Sequence, residues 1–97
     1  MYYTKPRRTH WSENWIPLAA LRVTRGWLPE IGYCPTEKSA YKWCVQFGGN
    51  GHYYRSAEAA VAYAEGRGWF HGNTEPYVDA LEAYARELDE RVVSDAV

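Results

Sequence analysis

"KWCVQFGGNGHYYRSAEAAVAYAEGRGW", residues 42–69, decides how this chain folds. Together with Tyr41 before it, the segment sets Tyr41, Trp43, Val45 and Phe47 in alternation with Lys42, Cys44 and Gln46. That period of two is the mark of a strand with one face on a core and the other toward solvent. "GGNG" at 48–51 supplies residues that tolerate positive φ, so a β-hairpin over 41–55 follows, its return strand ending near Arg55. Ser56 then stands where a helix N-cap belongs, with Glu58 in the first turn to favour the positive end of the helix dipole. Ala57, Ala60, Val61 and Ala64 repeat at helical spacing and form a small-residue face that can lie close on a sheet. Gly66 and Gly68 end that helix, predicted over 56–66.

Outward from this segment the signals thin. Downstream, Thr74 can cap and Pro76 is tolerated in a first turn; Tyr77, Leu81, Ala85, Leu88 and Val92 form one apolar stripe, which predicts a surface helix over 75–93. Upstream, "LAALRVTR" at 18–25 is ambiguous: Ala19, Leu21 and Val23 alternate as in a strand, while Pro17 before an Ala/Leu/Arg run also suits a helix start. A third strand near 18–25 is the reading adopted. Gly26, Pro29, Gly32 and Pro35 mark 26–40 as a loop. The expected fold is α+β: a small antiparallel sheet followed by two packed helices, one domain over 1–97, with residues 1–10 a flexible basic arm.

Composition bounds the function. Sixteen of the 97 residues are aromatic, five of them Trp and nine Tyr. Rings bury large areas in small cores and are also enriched at binding surfaces, so some are expected in an exposed patch. No run of apolar residues approaches the ~20 that span a bilayer, and none follows the basic N-terminus as a signal peptide requires. Cys34 and Cys44 could form one bridge, but a cytoplasmic protein with both reduced is the expectation. The net charge of −1 hides an asymmetry. Residues 1–55 carry eight Lys/Arg against three acids, net +5, and residues 56–97 carry three Arg against nine acids, net −6. The halves can neutralise each other on folding or steer a partner.

Catalytic and metal chemistry find little to work with. His10, His52 and His71 are far apart in sequence, and the serines sit in no nucleophile motif. Cys34, Cys44, His52 and His71 lack the close pairs of a zinc site, and "GGNG" is followed by no P-loop lysine. We therefore expect no catalytic, cofactor or metal residues. Two binding classes remain. A protein partner needs an aromatic patch with charged anchors, and Trp11, Trp15 and Trp27, in irregular segments, are the candidate rings. A nucleic acid could use Arg7 and Arg8 of "KPRR" on phosphates, with Lys42, Gln46 and Arg55 on the polar strand face and Tyr53 to stack on bases. The pI near 6.3 and the acidic C-terminal helix count against that second class.

Residues 54–69 carry a local resemblance. Tyr54-x-Ser56-x-Glu58-x-Ala60-Val61-x-Tyr63-Ala64-Glu65-x-x-Gly68-Trp69 is similar to the strand-to-helix segment of a small accessory subunit of respiratory complex I, and "KW" with Phe47 resembles its preceding strand. The same aromatic-x-Ser-x-Glu-x-x-Ala outline looks, more loosely, like plant AP2-type DNA-binding domains. The likeness spans residues 42–69 and replaces a longer connection of the complex I family by a short turn. It implies a hairpin on a helix and an accessory, non-catalytic role. The expected protein is a small binding module, an accessory subunit or an inhibitor such as a phage encodes, acting on a protein; nucleic-acid binding is the alternative.

Overall fold

The structure, a computed structural model, describes residues 15–48 and 50–96, with side chains as far as Val92. Four strands come first: β1 (Ile16–Ala20), β2 (Glu30–Tyr33), β3 (Trp43–Phe47) and β4 (Asn50–Tyr54). Two helices follow, α1 (Ala57–Gly66) and α2 (Thr74–Ala96). The strands form one antiparallel sheet in the order β1-β2-β3-β4, and both helices pack on the same face of it.

The hairpin and first helix form as their residues dictate. Trp43 pairs with Tyr54 and Phe47 with Asn50, and the register is unbroken between them. Gly48 takes φ +58, where a side chain would be strained, and the Trp27 indole lies 3.7 Å from where its Cβ would be. Ser56 caps α1 by accepting the Ala59 N–H at 3.1 Å. Ala57, Ala60, Val61 and Ala64 are buried, so three methyl-sized side chains let the helix settle on the sheet with only Val61 to interdigitate. The opposing layer is Ile31, Tyr33, Trp43 and Val45; Leu21, Trp69, Leu81 and Ala85 close the core at its margins. On α2 the apolar stripe runs as expected, with Leu81 and Ala85 buried and Tyr77, Leu88 and Val92 half-buried. The helix begins one residue before the expected start and runs on to Ala96.

Two expectations are corrected. Residues 26–40 are not all loop, because Glu30–Tyr33 is β2, a central strand that pairs with β1 on one side and β3 on the other. Its four residues are buried throughout. Flanking prolines and Gly32 hide it in the sequence; pairing on both edges supplies what its weak propensity does not. The strand expected near 18–25 is Ile16–Ala20, and beyond it the chain climbs to a tight reversal. There Thr24 and Trp27 exchange both backbone hydrogen bonds at 2.9 Å, and Arg25 (φ 53) and Gly26 (φ 79) both lie in the left-handed region. That is the conformation of a two-residue hairpin turn.

Candidate functional site

The helices leave the other face of the sheet to different residues. Alternation puts Glu30 and Gly32 of β2, Cys44 and Gln46 of β3, and Gly51 and Tyr53 of β4 on this outer face. At the end of the sheet away from the hairpin turns, the 34–42 loop rises beside it. It is tied down locally: the Cys34 N–H donates to the Lys42 carbonyl at 3.0 Å, and the Glu37 N–H to the Cys34 carbonyl at 3.3 Å. The Ser39 N–H reaches a Glu37 carboxylate oxygen at 3.2 Å, and the Tyr41 N–H the Ser39 hydroxyl at 3.1 Å. Lys42 Nζ donates to the carbonyls of Pro35 (3.2 Å) and Glu37 (2.8 Å), so its charge staples the loop from within.

Between this loop and the sheet lies an open cleft of about 370 Å³ lined by Trp15, Glu37, Ser39, Tyr41 and Tyr53. Trp15 and Tyr53 meet with ring centroids 5.6 Å apart at a 60° tilt. The Arg55 guanidinium carbon stands 5.0 Å from the centroid of Tyr41, a cation–π distance. Tyr53 is 54% exposed and Tyr41 44%. Partial burial, with smaller contributions from Cys44 and Glu37, raises the Tyr53 phenol above its ordinary pKa. Beneath the rings the face is closed. Cys44 is fully buried and its thiol is pushed up to about 12, mainly by burial, so it is a poor nucleophile. Glu30 is 2% exposed, and burial raises its carboxyl to about 7.

Of the candidate residues, the structure brings together Trp15, Tyr53 and Arg55, with Lys42 behind them in the loop. Gln46 shares their face but is only 8% exposed, which corrects its reading as part of an open polar strip: it sits over the sheet centre, opposite Glu30. Trp27 is 37% exposed at the far end, against Gly48, and is no part of the cleft. Arg7, Arg8 and Trp11, with the basic arm, lie outside the described residues. The sequence reading missed Glu37, Ser39 and Tyr41. It assigned Tyr41 to the apolar strand face, whereas Tyr41 precedes β3 and is exposed. The missed signal was local: Glu37, Ser39 and Tyr41 alternate, which can carry three side chains to one side of a short loop.

Elsewhere the reactive side chains stand apart. The His52 ring rests on Tyr63 at 4.9 Å, and His71 Nε2 lies 3.1 Å from Arg22 Nη1, which can only donate. Among the described residues no group of three or more His, Cys, Asp and Glu could hold a metal ion. Among them, too, no helix is long and apolar enough to cross a membrane. A four-stranded antiparallel meander backed by two helices, with an aromatic cleft on its free face, is the class that fold and site define. No family model, no curated protein and no solved structure matches the chain.

Proposed function

We propose that this chain is a non-catalytic binding module that recognises a protein partner through the cleft of Trp15, Tyr41 and Tyr53. One observation carries the reading: rings from three separate segments converge on one open cleft while their neighbours underneath are sealed. Aromatic residues in such a setting supply contact area at low entropic cost, and Arg55 and Glu37 at the margin give orientation. The cleft has the size for one or two side chains of a partner, not a large ligand. The local likeness to a complex I accessory subunit supports an accessory role; the small size and the lack of a catalytic motif also suit a phage-encoded inhibitor. Two free, buried thiols suit a reducing compartment, and we place the protein in the cytoplasm.

Partner capture by the wild-type chain should fall about tenfold or more in Trp15→Ala and in Tyr41→Ala, the cost of losing a well-placed ring. Circular dichroism and thermal melts should show both variants folded. Undiminished capture by both variants would remove the cleft from the interface.

A second reading draws on one contact. Arg55 against Tyr41, beside the Trp15–Tyr53 pair, also resembles a platform on which unpaired bases stack. Glu37 at the cleft and the acidic helices oppose it. Anisotropy of a labelled single-stranded oligonucleotide that rises on adding protein and falls with salt would move this reading to first place.

A further inference from the structure

The two edges of the sheet are finished differently. β1 contains Pro17, which has no N–H to offer, and its register slips between Pro17 and Ala19. α2 packs beside it, and four of its five residues are half-buried. These are the devices by which sheets protect an edge from further pairing. α1 packs against β4 in the same way, but β4 has none of the other devices. Asn50, Gly51, His52, Tyr53 and Tyr54 include no proline and no formally charged residue, the register with β3 has no bulge, and the first four residues are exposed. Among the described residues no backbone hydrogen bond leaves β4 on the side away from β3.

We infer that β4 is the seam of a homodimer, in which a second copy of this chain adds its own β4 antiparallel to the first. An unprotected edge is a template for any strand that meets it, so a chain that keeps one needs a partner always present. Another copy of itself meets that condition. Self-pairing also closes: a two-fold axis consumes both open edges at once, leaving only the protected β1 edges at the ends of the joined sheet. Centring the pair on His52 uses all five residues, setting Asn50 opposite Tyr54 and Gly51 opposite Tyr53. No like charges face each other, and the Tyr53 ring falls beside the gap left by Gly51 of the other copy, a pairing that favours edge glycines. With the axis perpendicular to the sheet, all four helices lie on one side and both aromatic clefts on the other. The dimer would thus present two identical clefts to a partner, a consequence that rests on the proposed function; the seam itself does not.

Sedimentation equilibrium of the intact chain is the test. Wild type is expected to show twice the 11.2 kDa chain mass at roughly 100 µM, where a small edge-to-edge interface holds. Asn50→Lys places a charge in the seam and should raise the dissociation constant about tenfold. His52→Cys should oxidise to a covalent dimer, since facing residues of antiparallel strands lie within disulfide reach. A wild-type mass that stays at 11.2 kDa overturns the proposal. So does a dimer that ignores Asn50→Lys and is not linked at position 52. The two proposals separate by site: Tyr41→Ala tests the cleft at a ring that packs on Arg55, outside β4, and Asn50→Lys tests the seam at a residue that does not line the cleft.

Discussion

Glu30 lies on the outer face of the sheet, in register with Gln46 on β3 and with Ala20 on β1. Water reaches almost none of it, and burial raises its carboxyl from 4.5 to about 7. The unfolded chain therefore releases this proton near pH 4.5, while the folded chain keeps it to about 7. Between those values the folded state binds the extra proton, so stability falls as pH rises through the window and stays at the lower level above it. The span is on the order of 3 kcal/mol. Glu30→Gln should flatten that slope, matching wild type in urea melts at pH 5 and exceeding it at pH 8. A wild type that gains stability from pH 5 to 8 would show instead that a neighbouring charge holds the carboxylate ionised. The residue was legible in the sequence only as one acid in a proline-marked stretch.

Helix α2 is joined to the sheet by more than its apolar stripe. The Tyr33 hydroxyl donates to the Asp89 carboxylate, 2.9 Å from one oxygen and 3.1 Å from the other. Burial first, and then Asp89 itself, push this phenol up to about 12, so it remains a donor across the working pH range. A hydrogen bond to a charged acceptor contributes about 1.5–3 kcal/mol. Tyr33→Phe should lower stability by about that amount in denaturant melts, and Asp89→Asn by less, because the amide oxygen still accepts. A Tyr33→Phe chain as stable as wild type would leave the docking of α2 to Leu81, Ala85 and Leu88 alone. At this scale the sequence was uneven. α1 and α2 were legible because small or apolar residues recur at helical spacing over eight residues or more. β2 was not, since four residues between prolines are too short for a period to show, and its partners lie on both sides of it.

Over the whole molecule, the charge asymmetry maps onto the two layers. The sheet and its loops belong to the basic half, and the acidic residues gather on the helices, where Glu58, Glu75, Asp79 and Glu82 line one groove between α1 and α2. The aromatic cleft opens on the face remote from that groove, which suits a partner that approaches the sheet side. Cohesion comes from packing and not from covalent bridges: Cys34 and Cys44 are both buried free thiols. The melting temperature should therefore be the same with and without reductant, and Ellman's reagent at pH 8 should find both thiols only after unfolding. A melting temperature that drops with reductant would reveal a bridge that joins these two residues or two chains.

By itself the sequence determined the elements whose signal is local: the hairpin, read over 41–55, the Ser56 cap, the alanine face of α1 and the stripe of α2. Each is fixed by neighbours within a few residues, through φ preference, capping and periodicity. Only the tertiary structure decided that Glu30–Tyr33 is a central strand, that Gln46 and Glu30 are buried, and that Trp15, Tyr41 and Tyr53 share a cleft. Those outcomes depend on which distant segments lie side by side, and solvent exposure is a property of that arrangement and of no residue alone.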